Sequence, residues 1–373
     1  MAVLKSIQIK GFKSISNKAS VSLSLGRINV ILGANGAGKS NIISFFKMLN
    51  FMMSGSLQNF VESNGSGQSF LHYGPKVTGQ IDGKLELENR GFNDDYEFTL
   101  SYATPDRLII SSESVTYYRK NAPKPQSRKL DVEFKESVLA RRSDDESLKI
   151  IHKMLSRCKV YQFHDTSAES PLRGSCNKDS NNYLQAEGGN MAAFLYRIRE
   201  EFPQDYARIV RYVQSVVPQF KDFVLEPNNY GNVLLKWRDD SATDYILSSN
   251  QFSDGSLRFI ALATLLLQPK RTMPDVIIID EPELGLHPMA ISQLAEMIKE
   301  ASVNAQVIVA TQSPQLIDEF EAKDIVVIES NKDESGRYHT VSKRLDEKEL
   351  EGWLEEYSLS ELWNKNIIGG RPE

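Results

Sequence analysis

The chain has 373 residues, 40% of them hydrophobic, and a formal net charge of −5. That length suits one large domain or two intimate ones, and no stretch approaches the ~20 uninterrupted apolar residues of a membrane span. The acidic balance gives no support for binding a phosphate backbone, which clustered Lys and Arg would drive, although a local basic groove stays possible. The two cysteines, Cys158 and Cys176, cannot build a metal cluster alone, and their scarcity fits a reducing cytoplasm.

The opening "MAVLKSIQIKGFKS" lacks both an apolar signal core and an Arg-rich transit pattern, so it reads as a strand. "SIQIKGF" and "ASVSLSL" alternate apolar and polar residues as half-buried antiparallel strands do. "RINVILG" is continuously apolar, which suits a central strand covered on both faces. It runs into "ANGAGKS", and then "NIISFFKMLNFMM" reads as a helix with Ile42, Phe45, Phe46 and Leu49 on one face. Alternating runs follow in "GQIDGKLELEN", "YEFTLSYA" and "LIISSESVTYY". The basic, proline-broken stretch 119–130 reads as an exposed hairpin loop, with DNA contact as the sharper alternative.

Residues 165–190 are polar and turn-rich, and 191–220 show helical spacing in two segments broken near Pro203. "NVLLKWRD" is predicted as one strand. The last third alternates: helix 256–268, strand 276–280, helix 288–300, strand 306–311, a short helix from 314, strand 324–329. Such alternation predicts a parallel α/β sheet. The organisation is then an N-lobe over 1–163, a short helical insert over 164–240 and a C-lobe over 241–373 that completes the first sheet.

Gly33 to Ser40, "GANGAGKS", matches G-x-x-x-x-G-K-[ST] between an apolar strand and an amphipathic helix, the context that confirms a phosphate loop. Gly33, Gly36 and Gly38 allow a tight turn that aims backbone amides at phosphate oxygens; Lys39 adds a point charge, and the Ser40 hydroxyl ligates Mg²⁺. Asn35, Ala37 and Asn41 complete the nucleotide-binding stretch. In "DVIIIDEPELGLHP", four apolar residues form a buried strand that delivers Asp280 beside this loop to hold Mg²⁺. Its neighbour Glu281 can polarise a water for in-line attack on a γ-phosphate.

"DEPELGLHP" resembles the Walker B and D-loop of ABC-class ATPases, "FSDGSLRF" their signature motif and "VIVATQSPQL" their switch segment. The order of these motifs is that of the RecF/SMC branch. The ending "LEEYSLSELWNKNIIGGRPE" is similar to a bacterial group of standalone RecF/SMC-like, AAA-family ATPases. The resemblance implies an α/β P-loop NTPase of ABC/SMC head type, with ATP and Mg²⁺ as cofactors and ATP hydrolysis as the reaction. It also implies a homodimer that sandwiches two ATP, with higher assemblies of dimers open. Ser253, Asp254, Gly255 and Ser256 of one copy would cap the γ-phosphate held by the other. Arg258 would reach the same phosphate or a partner carboxylate, unless it is a plain surface arginine.

Three positions depart from the family pattern or leave it open. Gln312 replaces the switch histidine and cannot carry positive charge, so slow turnover is expected. His287 stands where transporters usually carry Asp. The residue that senses Mg²⁺ is Gln162 or His164, which spacing does not separate. The resemblance further implies a cytoplasmic switch with no membrane contact that lends its state to a separate effector, TOPRIM-like or another nuclease, in antiphage defence. The alternative is a RecF-like ATPase that binds DNA itself in recombination and repair, for which the basic stretch at 119–130 and Arg141-Arg142 argue. A transporter's nucleotide subunit is disfavoured by the "IQIKGFKSI" strand.

Overall fold

The computed structural model describes residues 3–89, 92–118, 124–141, 145–242 and 244–371. Its first part contains β1 (Val3–Lys10), β2 (Val21–Ser24), β3 (Ile28–Leu32), α1 (Lys39–Met53), α2 (Leu57–Ser63), β4 (Gln80–Asn89), β5 (Phe92–Ala103), β6 (Arg107–Tyr118), β7 (Gln126–Lys129), α3 (Glu146–Ser156) and β8 (Cys158–Tyr161). The middle adds β9 (Ser175–Asn177), α4 (Met191–Glu201), α5 (Pro203–Val216), β10 (Phe220–Val224), β11 (Asn232–Leu234), β12 (Lys236–Asp239) and β13 (Ile246–Ser248). The last part holds α6 (Asp254–Leu266), β14 (Val276–Asp280), α7 (Pro288–Ser302), β15 (Gln306–Thr311), α8 (Pro314–Ile317), β16 (Ile325–Lys332), β17 (Tyr338–Arg344), α9 (Glu347–Leu354) and α10 (Leu359–Asn364).

Two six-stranded sheets organise the molecule, an antiparallel one ordered β2-β1-β4-β5-β6-β7 and a mostly parallel one ordered β17-β16-β3-β15-β14-β8. In the second sheet only the β16–β17 pair is antiparallel. The central strands are apolar throughout because both faces are covered. Val30, Leu32, Ile277, Ile279, Val307 and Val309 point into a core shared with α4 to α7. Ile31, Val276, Ile278, Ile308 and Ala310 point into a second core shared with α1, α3 and the antiparallel sheet.

Topology then places the site. β3, β15, β14 and β8 are neighbours and parallel, so the residues following all four emerge at one edge. Crevices at the carboxyl ends of such strands are where α/β sheets bind ligands. That edge collects the loop after Leu32, the Asp280–Glu281 step, Gln312 and Gln162.

Two expectations need correction. "NVLLKWRD" is two strands: Asn232–Leu234 pairs with β9, while Lys236–Asp239 pairs with β10 and β13. Val233, Leu235 and Trp237 are all buried, so the apolar alternation runs unbroken through a change of sheet and hides it. Of the basic stretch 119–130, Gln126–Lys129 forms the edge strand β7, and 119–123 lie outside the described residues, as does Arg142. The segment 164–240 carries β9 to β12 as well as α4 and α5. Among the described residues no helix is long and apolar enough to cross a membrane.

Candidate functional site

The phosphate loop starts where β3 ends. Gly33 passes so close to β16 that a Cβ there would lie 2.5 Å from the Ile328 carbonyl oxygen. Gly38, at φ 114°, is left-handed, and its missing Cβ would meet the Thr340 hydroxyl at 2.2 Å. Behind the loop Thr340 Oγ1 donates to the Ala37 carbonyl at 2.9 Å and shares a hydrogen bond with Ser14 Oγ, 2.7 Å away. Asn41 Nδ2 donates to the same Ser14 hydroxyl at 2.6 Å, so its amide braces the loop. No side chain caps the start of α1 and no acidic residue sits in its first turn. Those helix-end amides therefore stay available to an anion, with Asn35, Gly36 and Ser40 exposed around them.

Lys39 is buried, and its ammonium donates to the Gly33 and Ala34 carbonyls at 2.6 and 3.2 Å. Burial lowers its pKa, and the nearby carboxylates of Glu281, Asp280 and Glu283 partly offset that. An ammonium with three donors keeps one for a ligand. With Lys39 only 5% exposed, solvent screens its charge less than at an exposed surface, which strengthens its attraction for an anion.

Opposite stands the Asp280–Glu281 step. Asp280 is buried at the end of β14. Its carboxylate accepts from Gln162 Nε2 at 3.2 Å, while its backbone carbonyl lies 2.8 Å from His164 Nε2. Both sensor candidates therefore touch Asp280, Gln162 at the side chain and His164 at the backbone. Lys47 of α1 donates to Gln162 Oε1 at 2.6 Å, which fixes the amide's orientation toward Asp280. Glu281 has a φ of 42°, a left-handed conformation uncommon for residues with a Cβ. Its N–H donates to the Ala310 carbonyl at 2.8 Å, and Gln312 Nε2 donates to Glu281 Oε1 at 3.3 Å. Gln312 and Glu281 are thus joined side chain to side chain.

Glu283, to which the sequence reading assigned no role, lies under this pair and accepts from Thr311 Oγ1. Burial pushes its pKa up from the usual carboxylate range, with the Thr311 hydrogen bond opposing and Glu281 adding. Its second oxygen is buried without a hydrogen-bond partner.

The signature residues form a separate group. Ser253 N-caps α6, accepting from the Ser256 N–H at 3.1 Å. Exposed Asp254 pairs with Arg173 at 3.1 Å, and Arg173 also donates to the carbonyls of Thr166, Ser249 and Phe252. A Cβ on Gly255 would lie 2.5 Å from the Gly285 carbonyl oxygen, so α6 starts directly against the D-loop of the same chain. Among the described residues no hydrogen bond joins Ser253–Ser256 to the phosphate loop.

Arg258 corrects its expectation. It is 5% exposed and donates to the carbonyls of Phe163, at 2.9 Å, His164, at 3.0 Å, and Leu284. It is neither a surface arginine nor free to reach a phosphate. It ties α6 to the sensor segment and the D-loop. His287 accepts from the Met289 N–H as the N-cap of α7, with Leu284 and Met289 exposed beside it.

Mg²⁺ fits this donor set. The cation is usually held by one or two carboxylates together with substrate phosphates; here a hydroxyl at Ser40 and the carboxylate of Asp280 are offered. Among the described residues no group of three His, Cys, Asp or Glu could form an all-protein cage.

Comparison with known proteins gives the family and the fold. Residues 28–318, more than half of the chain, match the family model described as an AAA domain, putative AbiEii toxin, Type IV TA system. The chain belongs to this AAA family. Over 74 residues it is 36% identical to structural maintenance of chromosomes protein 3 of Caenorhabditis elegans; the matched part is 20% of this chain and 6% of that protein's length. Among solved structures, this AAA domain is similar to an SMC head bound to the C-winged helix domain of ScpA, with a TM-score of 0.60, 18% identity, and 93% and 99% of the two chains covered. It is also similar to an Smc head domain with an extended coiled coil bound to the C-terminal domain of ScpA derived from Pyrococcus furiosus, with a TM-score of 0.56, 17% identity, and 95% and 99% covered. The fold is that of an SMC head domain.

Proposed function

We propose that the protein is a slow ATPase switch: two copies close around two ATP, hydrolysis opens them, and the state is read by a separate effector. The observation that carries this reading is the meeting of Lys39, Asp280, Glu281 and Gln312 at one sheet edge, with Gln312 bonded to Glu281. In this scheme the phosphate loop binds and orients the nucleotide, and bound Mg²⁺, held by Ser40 and Asp280 with Gln162 beside it, would neutralise phosphate charge. Glu281 takes the proton of the attacking water, and Gln312 orients that water without contributing charge.

The sandwich rests on the separation within the chain. Ser253–Ser256 present a capped helix start that no hydrogen bond joins to their own phosphate loop, as expected of residues that serve a second copy's nucleotide. The similar solved heads are bound to ScpA domains, which favours a partner read-out here too. A TOPRIM-like or other nuclease effector in antiphage defence is compatible with the AbiEii-type family description.

Direct DNA binding has less support. The cleft of about 610 Å³ lined by Arg128, Lys129, Arg141, Lys149 and His152 is basic. However, Arg128 pairs with Asp145, Arg141 with Glu133 and Lys149 with Glu146, so much of its charge is already neutralised. Phosphate release by the parent, Lys39→Ala and Glu281→Gln proteins tests the reading. Loss of ATP binding in the first variant, and retained binding without turnover in the second, are expected. Turnover by Glu281→Gln at the parental rate overturns the base assignment.

A further inference from the structure

The segment that follows α10 touches the phosphate loop at Gly370, and nothing in the loop's motif requires it to. Leu362 and Trp363 of α10 are buried, and beyond the helix the backbone is anchored by buried Ile368 and by the Ile367 N–H donating to the Leu362 carbonyl at 2.9 Å. It then makes two successive left-handed residues, Gly369 at φ 80° and Gly370 at φ 79°. Neither tolerates a side chain. A Cβ on Gly369 would lie 2.4 Å from Glu329 Oε1, and one on Gly370 would lie 2.7 Å from Val327 Cγ1 and 3.7 Å from the Gly33 Cα.

The hydrogen bonds at this crossing form a chain. Half-buried Glu329, on β16, accepts from the Gly370 N–H at 2.8 Å. The Gly370 carbonyl accepts from the Ala34 N–H at 2.8 Å. The carbonyl of that same amide, Gly33's, accepts from Lys39 Nζ at 2.6 Å, beside the Ala34 carbonyl at 3.2 Å. Ladder pairing of β16 with β3 stops at Val327–Leu32, so no strand partner orients the Gly33–Ala34 peptides. The diglycine supplies that partner.

We infer that the Gly369–Gly370 turn and Glu329 are positioning residues for nucleotide binding: they fix the Gly33–Ala34 peptide, whose N–H bonds Gly370, so that its Gly33 carbonyl aims the Lys39 ammonium into the phosphate cradle. The Ala34 N–H and the Gly33 carbonyl are the two ends of one planar amide, so a hydrogen bond at one end orients and polarises the other. Turning the Gly33–Ala34 peptide would remove the nearer of the two acceptors that hold the lysine, the Gly33 carbonyl at 2.6 Å. The same contact makes the Gly369–Gly370 segment a handle on ATP affinity, because whatever displaces it loosens Lys39. This inference rests on the ATP-binding reading above.

The test measures the dissociation constant of a fluorescent ATP analogue, together with the melting temperature, for the parent, Gly370→Val, Glu329→Leu and Glu329→Gln. Loss of one net hydrogen bond on the relay predicts affinity weakened about tenfold in Gly370→Val and Glu329→Leu. Glu329→Gln still offers an oxygen to the Gly370 N–H, so it should bind within about twofold of the parent. A merely structural role would instead lower the melting temperature of both Glu329 variants without this rescue. Should Gly370→Val fail to fold, the Leu/Gln contrast at Glu329 alone decides. Parental affinity in Glu329→Leu overturns the relay and leaves the ATP reading intact. A parent that binds no nucleotide overturns both.

Discussion

Replacing Arg258 by Met keeps most of the stem's volume and deletes every donor. The arginine makes three charge-assisted hydrogen bonds to backbone carbonyls, in three places: the two ends of the Phe163–His164 step and Leu284 of the D-loop. Each such bond is worth about 1.5–3 kcal/mol before shared costs. Burial disfavours the guanidinium charge and lowers its pKa, so part of that sum is offset. A net loss of about 3 kcal/mol remains, in the range expected when a buried network is broken. For a chain of this size it corresponds to a fall in melting temperature of about 4 °C. Thermal unfolding followed by circular dichroism measures it, and Arg258→Lys should recover only part, because a point charge cannot span three acceptors. If Arg258→Met melts within about 1 °C of the parent, the three-way tie contributes nothing and the reasoning is refuted.

Gln312→His is expected to raise steady-state phosphate release, since an imidazolium can carry charge at the γ-phosphate; an unchanged rate would leave Gln312 a structural partner of Glu281. Glu283 has a folded-state pKa raised above 4.5 by burial, so the folded chain binds the proton more tightly than the unfolded one. Its ionisation therefore subtracts stability as pH rises from about 4.5 through the raised value. Glu283→Gln, which still accepts from Thr311, should then melt higher than the parent at pH 8 and gain less at pH 5; an equal gain at both would contradict this.

Much of the chemistry was legible because it is local in sequence. A glycine-rich loop between an apolar strand and a helix, and a four-residue apolar run ending in Asp280-Glu281, each carry their geometry in consecutive residues. What was not legible depends on distant segments meeting. Arg258 looked like a helix-surface arginine because the carbonyls it serves lie 94 and 95 positions upstream and 26 downstream. Arg173 left no motif signal, yet it clips the loop before α6 through Ser249, Phe252 and Asp254. Trp237 and Leu235 continue an apolar alternation across a change of sheet, which periodicity alone cannot detect. Gly370 could be tied to Ala34 only by folding.

The central claim is that each nucleotide is enclosed by two copies of the chain, and light scattering on Glu281→Gln measures it most directly. With ATP and Mg²⁺ the mass should double, and adding Ser253→Trp or Lys39→Ala to the same chain should return it to that of the nucleotide-free protein. A mass that ignores ATP, in a variant shown to bind it, would contradict the account.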